Sequence, residues 1–499
     1  MSEPYDALIA RAREAHLLES TAEILAWDQE TMMPPGGVDH RARQLGLLAR
    51  LAHERRTAPE IAELLARCDA ADLPDEAKAD VRELRRSFDR SASVPAELVQ
   101  ERSEVTSRAQ HAWARAREDS DFASFRPWLE RVLSLERNRA ACLGVPDGGE
   151  LWDALAEDYE PGMRAADLAP LFAPLRERLG AFVQELSEVH GPSNRCNEIE
   201  FEIDRQEKFV RRIATAIGFD FSRGRIDRSA HPFCGGSHAG DVRITTRFHR
   251  DNVGDALGST MHECGHGIYE QGLPADRVGT PLGTAVSLGI HESQSRLWEN
   301  HVGRSAGFWR WCADVATEEL GSAAAMLSAD DWFGSSNVVR PSLIRVEADE
   351  ATYNLHVVVR FDLERRLVSG DLEVADLPDA WNAAYREVLG VDVPDDRDGC
   401  LQDVHWSCGL VGYFPTYTLG TLYAAQFFAA AERDLGDLEE PFACGDFAPL
   451  RDWLRQNVHC HGMRYGAEEL CRRATGAGLD AEIFLNYLER KLRPLYGVD

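Results

Sequence analysis

The chain has 499 residues, of which 44% are hydrophobic and 28% are charged, and this is the composition of a folded globular protein with a large core. Its 55 basic and 84 acidic residues give a net charge of −29 at pH 7. Such a charge repels phosphate backbones and anionic lipid heads, so we expect neither nucleic acid nor a membrane as partner. The opening residues lack a basic segment followed by an apolar core, which predicts a cytoplasmic protein.

The hydrophobic pattern is mainly helical. Up to about residue 190, Ala, Leu, Glu and Arg recur at helical spacing between short Pro and Gly clusters, and helical patterns return after residue 250. The clearest strand covers residues 241–248, where apolar and polar residues alternate. The sequence therefore predicts a mainly α fold with a small β-sheet. We interpret residues 1–499 as a single catalytic domain with an N-terminal helical part at 1–220 and a second part at 221–499.

Two further patterns bear on location and stability. The apolar run that ends at Ala431 is too short to cross a bilayer and predicts a buried helix. The eleven cysteines contain no CxxC pair, so we expect mostly buried thiols and no disulfide framework.

The pentapeptide His-Glu-Cys-Gly-His at residues 262–266 is an HExxH motif. On a helix its two histidines project from one face, one turn apart, where both can reach one zinc ion. Asn252 is a suitable N-cap and Gly272 a suitable end, which predicts a helix over residues 253–271.

The apolar residues of this helix separate the motif from the core. Leu257, Met261, Cys264 and Ile268 form a narrow stripe on the side opposite His262 and His266. This argues against two core histidines, whereas a solvated face stays open as an alternative.

A catalytic zinc needs a third protein ligand and an open position for water. Glu292 follows His266 by 26 residues, which leaves room for a loop and a second, crossing helix. Spacing favours Glu292 but leaves four rivals open, which are Glu270, Asp276, His291 and Glu299. Of these, Glu270 lies one turn past His266 on the same helix and would point along that helix rather than around the metal.

This constellation indicates amide hydrolysis. Zinc would activate a water molecule and polarise the scissile carbonyl, and Glu263 can take the water's proton and pass it to the leaving amine. A phenol or imidazolium would stabilise the oxyanion, and candidates lie in residues 402–406 and 413–417. A helical scaffold whose motif has lost its role is the alternative that the retained Glu263 argues against.

Six motifs occur in one order along the chain. They are His231-Pro232-Phe233, Asp241-x-Arg243-x-Thr245, His262-Glu263-x-x-His266, His291-Glu292-Ser293-Gln294, Ile344-Arg345-x-x-Ala348-Asp349 and Gly399-x-x-Gln402-Asp403-x-His405-Trp406. With the stretches around residues 27–28 and 417–420, they resemble the carboxypeptidase Taq family of metallocarboxypeptidases over most of the chain. The resemblance implies a nearly all-helical fold with a deep substrate groove and a small sheet beside it. It also implies a homodimer that releases single residues from peptides with a free C-terminal carboxylate.

The same resemblance implies roles at the metal. His262, His266 and Glu292 become the metal ligands, and Glu263 becomes the general base. We expect one divalent ion per chain, Zn²⁺ in the first place, with Co²⁺ as an ion that such a site also accepts. A zinc oligopeptidase or endopeptidase with the same ligands is the enzymatic alternative.

Further roles follow for the substrate. His405 and Tyr417 would bind or stabilise the oxyanion, and the guanidinium of Arg345 would bind the terminal carboxylate. For Arg345 the alternative is a structural ion pair with Glu347, Asp349 or another buried acid.

The other predicted substrate-binding residues are His231, Asp241, Arg243, Thr245 and Gln402. The strand from Asp241 to Thr245 could pair through its edge with the substrate backbone. His231 could instead only shape the groove, and Gln402 with Asp403 could orient a ligand.

Overall fold

The computed structural model describes residues 3–498, in which helices dominate and three strands form one small sheet. The helices are α1 Glu3–Thr31, α2 Val38–Arg56, α3 Pro59–Asp69, α4 Asp75–Ser93, α5 Ala96–Asp119, α6 Phe122–Leu143, α7 Leu151–Ala156, α8 Ala165–Pro174, α9 Gly180–Ser187 and α10 Ile203–Ile217. The strands are β1 Gly224–Arg228, β2 Cys234–His238 and β3 Asp241–Thr246. The remaining helices are α11 Val253–Gly272, α12 Leu288–Arg296, α13 Ala306–Leu320, α14 Ala329–Ser336, α15 Tyr353–Ser369, α16 Leu377–Leu389, α17 Pro415–Leu435, α18 Glu439–Ala443, α19 Ala448–Asn457, α20 Ala467–Thr475 and α21 Ala481–Tyr496. The predicted mainly α fold with a small sheet is confirmed.

The chain forms two compact units, each assembled from separate stretches of sequence. The first unit consists of Met1–Ser91, Ser193–Ser336 and Tyr423–Leu479. The second unit consists of Ala92–Pro192, Asn337–Leu422 and Asp480–Asp499. Neither unit begins at residue 221, and the single catalytic domain over residues 1–499 stays a prediction.

The core of the first unit includes a cluster beneath its N-terminal helix. Apolar side chains of α1, α3, α4 and the turn between α3 and α4 pack together there. The cluster is made of Tyr5, Leu8, Ile9, Ile61, Leu64, Leu65, Cys68, Leu73, Ala77 and Val81. The hydroxyl of Tyr5 donates to the buried carboxylate of Asp80 at 2.7 Å, so the one polar end in this cluster is satisfied.

The sheet of the first unit has the strand order β1-β3-β2, with β1 parallel and β2 antiparallel to β3. The predicted strand is confirmed, although it ends at Thr246, two residues before Phe248. Our interpretation that Asp241 to Thr245 offers an edge to the substrate is wrong. Ile244, for example, pairs with Ile226 of β1 on one side and with Cys234 of β2 on the other, so the backbone of β3 is already occupied by its neighbours.

Helix α11 carries the HExxH motif and packs on this sheet. It begins where predicted, because the side chain of Asn252 accepts a hydrogen bond from the amide of Asp255 at 3.1 Å. The apolar stripe of Leu257, Met261, Cys264 and Ile268 is buried as predicted. The motif therefore lies in the middle of a helix whose opposite side belongs to the core.

Helix α12 crosses α11 at a glycine. A Cβ at Gly265 would lie 2.4 Å from the carbonyl oxygen of Gln294 and 2.6 Å from Cα of Ser295. These are backbone atoms, which cannot turn away as a flexible side chain would. Only glycine at this position lets α12 approach α11 so closely, and the approach brings Glu292 to the two histidines of the motif.

In residues 3–498 the eleven cysteines are free, and six of them are buried. This agrees with the expectation of mostly buried thiols. The predicted buried helix is α17, whose residues Leu419, Tyr423 and Phe427 are fully buried. No helix in the described part of the chain is long and apolar enough to span a membrane.

The crossing at Gly265 can be tested by adding one methyl group. We expect Gly265→Ala to lower the free energy of unfolding by about 1–3 kcal/mol, because the new Cβ forces two packed backbones apart. Gly258→Ala is the matched control on the same helix, since its Cβ would meet no atom within 4 Å. The control should be neutral or stabilising by up to about 1 kcal/mol. Denaturant unfolding of both variants measures this, and equal stability of the two would contradict the assignment.

Candidate metal centre

Three side chains of the first unit converge at one point. Oε2 of Glu292 lies 3.6 Å from Nε2 of His262 and 3.4 Å from Nε2 of His266. One possible ligand atom from each of the three residues lies within 4.8 Å of the others. In the described residues this is the one such group of histidine, cysteine or acidic side chains.

The ligand-side atoms are oriented by hydrogen bonds that neighbouring residues make to the opposite ends of these three side chains. Nδ1 of His262 lies 2.9 Å from a carboxylate oxygen of Glu299, and Nδ1 of His266 lies 3.1 Å from the carbonyl oxygen of His291. Because these oxygens can only accept, each Nδ1 carries a proton and each Nε2 is left for the shared point. Glu292 is fixed by Arg296, whose Nε donates to Oε1 at 2.8 Å.

This donor set fits a divalent metal ion. Two imidazole nitrogens and one carboxylate oxygen are the ligands of catalytic zinc sites, and carboxylate or carbonyl partners on the far nitrogens are their usual support. The local field also favours a cation. Burial lowers the pKa of His262, but Glu292 and Glu299 outweigh burial and raise that pKa to about 9.

The four rivals for the third ligand now have definite places. Glu299 contacts the far nitrogen of His262, and His291 and Glu270 contact each other behind His266. Asp276 is exposed and lies beside Arg277. Of the five candidates, only Glu292 reaches both histidines of the motif. Glu299, His291 and Glu270 lie one contact further out, around the three converging side chains.

Glu263 lies next to His262 on α11 and is only 6% exposed. Burial raises the pKa of its carboxyl to about 7, with the negative charge of Glu292 adding to the effect and His262 opposing it. A buried carboxyl with such a pKa is suited to accept and return a proton near neutral pH. Its charge interacts with those of His262 and Glu292, so the carboxyl lies close to both of these side chains.

Each residue of His291-Glu292-Ser293-Gln294 has a separate contact. The hydroxyl of Ser293 donates to the carbonyl of Ile290 at 2.6 Å, and Oε1 of Gln294 lies 2.9 Å from Nε2 of His459. The first contact lies within α12, and the second ties α12 to the segment around His459.

The sequence-predicted residues on β3 are bonded within the sheet. Arg243 donates to both carboxylate oxygens of Asp241 at 2.9 Å, and its guanidinium lies 4.4 Å from the ring centre of Trp27. The hydroxyl of Thr245 is buried and accepts from the amide of Phe233 at 2.9 Å. His231 follows β1 and its side chain is exposed.

The second unit brings the remaining predicted residues together. Arg345 is 4% exposed and donates through Nε and Nη2 to one oxygen of Asp403, at 3.1 and 2.9 Å. Its Nη1 donates to the hydroxyl of Tyr353 at 2.8 Å. Arg360, fully buried, donates through Nε to the other oxygen of Asp403 at 2.6 Å. The ion pair that we weighed for Arg345 therefore exists, but its acid is Asp403 and not Glu347 or Asp349.

Gln402 and His405 flank Asp403. The side chain of Gln402 accepts from the amide of Arg345 at 3.0 Å and donates to the carbonyl of Leu343 at 3.1 Å. Nε2 of His405 lies 3.0 Å from the hydroxyl of Tyr417. The two predicted oxyanion donors are thus hydrogen-bonded to each other.

The charges of this group are well defined. Burial raises the pKa of Asp403, but Arg360 and Arg345 more than compensate and hold it far below its usual range. Burial lowers the pKa of His405 to about 3, and the two arginines add to this effect while Asp403 opposes it. His405 is therefore neutral at pH 7, so it can donate a hydrogen bond but does not supply the positive charge of an imidazolium.

Some residues of both sites were not singled out from the sequence. Arg296 follows Glu292 by four positions and could have been found from helical spacing. Arg360 stands between the three valines at 357–359 and Phe361, and a charge within such an apolar stretch of a buried helix signals a partner. Tyr353 has no comparable signal, because its role depends on a contact that only the fold creates.

Comparison with known proteins agrees with this geometry. The family model described as "Carboxypeptidase Taq (M32) metallopeptidase" matches residues 7–492. A "Thermostable carboxypeptidase 1" of Thermus thermophilus is 46% identical over 99% of both chains, and a "Carboxypeptidase 1" of Bacillus subtilis is 34% identical over 97% of both. The crystal structure of an M32 carboxypeptidase from Deinococcus radiodurans R1 superposes with a TM-score of 0.97 at 41% identity, over the full length of both chains.

A mainly helical fold with an HExxH helix and a converging carboxylate defines a metallopeptidase. Within that class, the chain belongs to the carboxypeptidase Taq (M32) family. Membership confirms the predicted family and makes the protein a peptide hydrolase of the metallocarboxypeptidase type. The oligopeptidase or endopeptidase alternative is not favoured.

Proposed function

We propose that His262, His266 and Glu292 hold one Zn²⁺ ion and that the protein uses it to release single residues from peptide C-termini. The observation that carries this proposal is the convergence of both Nε2 atoms on Oε2 of Glu292, at 3.6 and 3.4 Å. A bound divalent ion would polarise the scissile carbonyl and increase the acidity of water. Co²⁺ suits the same ligands.

Glu263 is the general base in this proposal. Its buried carboxylate takes a proton from the attacking water and delivers it to the amine that leaves. Two features support the role. The side chain stands next to His262 in the chain, and burial raises the pKa of its carboxyl to about 7, which suits a group that accepts and returns a proton near neutral pH.

Arg345 is the proposed anchor of the substrate's terminal carboxylate. Its contacts in the described residues use three of its five N–H groups, two on Asp403 and one on Tyr353. Asp403 also neutralises Arg360, so two positive charges share one negative charge. A second carboxylate would restore the balance of charge in this buried group.

His405 and Tyr417 are the proposed oxyanion donors. Since His405 is neutral, a hydrogen bond rather than a positive charge would stabilise the intermediate. Gln402 supports this role by fixing the loop on which His405 lies.

His231 and Arg243 remain proposed substrate-binding residues, now through their side chains instead of the backbone of β3. Asp241 and Thr245 take part indirectly in this proposal, because Asp241 holds Arg243 and the buried hydroxyl of Thr245 accepts from the amide of Phe233. Arg243 is held rigidly by Asp241 and Trp27, which would present a fixed guanidinium to a peptide. We also retain the homodimer implied by the sequence resemblance and the cytoplasmic location as proposals. Sedimentation analysis tests the first and cell fractionation tests the second.

The metal site predicts the result of removing Glu292. We expect Glu292→Ala to lose metal and activity together, because two histidines alone bind zinc weakly. Asp276→Ala is the control, since Asp276 is an exposed acid that we considered as a ligand and that lies outside the cluster. Elemental analysis after dialysis measures the metal content of both. Full occupancy of Glu292→Ala would mean that another residue is the third ligand.

If Glu263 is the general base, a variant without its carboxylate should bind metal but not turn over substrate. We expect Glu263→Gln to keep the metal content of the wild type and to lose about 10²–10⁴-fold in kcat, because an amide of the same size cannot accept the water's proton. Metal analysis and initial rates on one peptide are compared in the same preparation. Turnover near the wild-type rate would exclude Glu263 as the base.

The anchor predicts a loss that depends on the substrate's C-terminus. The wild type should cleave a peptide with a free carboxylate far better than the same peptide amidated. Arg345→Ala should lose on the order of 2–5 kcal/mol of transition-state binding for the free acid and with it the preference. The ratio of the two rates is independent of how much enzyme is folded, which matters because the variant also weakens the pairing of Asp403.

A second arginine of the same unit serves as control for this experiment. Arg365 forms a partly exposed ion pair with Glu150, so Arg365→Ala should keep the wild-type preference. If Arg345→Ala kept it as well, Arg345 would be only a structural partner of Asp403.

A further inference from the structure

A chain of three side chains leads from the candidate metal ligand His266 to the far end of α11. Nδ1 of His266 lies 2.6 Å from Nδ1 of His291, and Nε2 of His291 lies 2.8 Å from a carboxylate oxygen of Glu270. Glu270 follows His266 by one helical turn, and His291 directly precedes Glu292. Neither His291 nor Glu270 has a role in the function proposed above.

Glu270, at the end of this series of hydrogen bonds, determines which nitrogen of each histidine carries a proton. The carboxylate of Glu270 can only accept, so Nε2 of His291 carries the proton of that ring. In neutral His291, Nδ1 then holds a lone pair. Because two nitrogens 2.6 Å apart can share only one proton, Nδ1 of His266 must be the donor. His266 is left with its lone pair on Nε2, which points at Oε2 of Glu292.

The rings are also held in place. The ring centres of His266 and His291 are 4.6 Å apart, and Tyr269 packs against His291 at 5.3 Å with an angle of 61°. His291 thus contacts three side chains of α11, those of His266, Tyr269 and Glu270, while its own helix α12 supplies Glu292. A displacement of His291 would move one ligand, His266, relative to another.

We propose that His291, oriented by Glu270, is a positioning residue that fixes the tautomer and ring orientation of His266 for metal binding. The inference rests on the proposed metal site. His291 and Glu270 together would orient the ring of His266, as the carboxylate of Glu299 orients the ring of His262 by a direct contact. Supporting partners of this kind commonly contribute 10–100-fold to metal affinity.

The alternative is that the carbonyl oxygen of His291 is sufficient. It lies 3.1 Å from the same Nδ1 and would remain in any variant at position 291. The two possibilities differ in metal affinity, whereas a role in packing alone would change the stability of the metal-free protein.

The test is Zn²⁺ affinity, measured by competition with a chelator, alongside denaturant unfolding of the metal-free proteins. We expect His291→Ala to bind Zn²⁺ roughly 10–100-fold more weakly than the wild type. His291→Asn should recover most of the affinity, because its Oδ1 can accept from Nδ1 of His266 in place of the imidazole nitrogen. Metal-free stability should be similar for the Asn variant and the wild type.

Glu270→Gln tests the outer partner. It should weaken binding in the wild-type background and have no further effect in His291→Ala, since Glu270 acts through His291. An equal effect in both backgrounds would show that Glu270 acts as a distant charge and would overturn its part of the proposal. His291→Ala with affinity within about twofold of the wild type would overturn the proposal for His291, because the carbonyl would then suffice.

Wild type and Glu292→Ala in the same assay separate this inference from the proposed function. The proposed metal site requires that the wild type binds one Zn²⁺ and that Glu292→Ala does not. If either result is absent, the metal site itself is wrong. If wild type and Glu292→Ala differ in this way but His291→Ala binds Zn²⁺ as tightly as the wild type, only the proposed role of His291 is wrong.

Discussion

The metal site depends on one close approach between two helix backbones. Oε2 of Glu292 can lie between the histidines of α11 only because α12 crosses that helix at Gly265, where backbone atoms occupy the space of a side chain. The glycine stands between Cys264, which faces the core, and His266, which faces the site. The HExxH segment therefore supplies a crossing point in addition to the two proposed ligands and the proposed base.

That crossing gathers negative charge in a buried place. Glu263, Glu292 and Glu299 all lie at the site, and Arg296 bridges the last two at 2.8 and 3.2 Å. Burying carboxylates without full compensation costs several kcal/mol per charge, by the general cost of desolvating an ion. A divalent cation bound there would offset this cost, so the proposed metal binding would be coupled to the stability of the α11–α12 pair. The pKa of His262 is raised for the same reason, because the nearby carboxylates stabilise a positive charge.

The accuracy of the sequence-based predictions depended on how local each feature is. The cap at Asn252 and the apolar stripe of α11 follow from helical periodicity within 20 residues and are confirmed. Spacing favoured Glu292 over Glu270, which lies on α11 itself one turn past His266. It could not exclude His291 or Glu299, because their places depend on how the segment after α11 crosses that helix. The edge of β3 was misjudged for a related reason. Alternation identifies a strand, but the partners β1 and β2 have no comparable alternation, so the central position of β3 cannot be read from it.

Arg345 shows why a structural ion pair and a binding role need not exclude each other. Asp403 accepts from the Nε and Nη2 groups of Arg345, which fixes the plane of the guanidinium, and Arg360 shares the same acid. An arginine held in this way has lost its side-chain freedom before any ligand arrives, so binding a carboxylate does not incur that entropy cost again. Because Asp403 carries one charge against two, the fixed guanidinium also retains a net attraction for an anion. Burial and pairing would thus prepare Arg345 for the proposed role of binding a substrate carboxylate. The sequence could indicate the arginine but not Asp403, the acid that orients it.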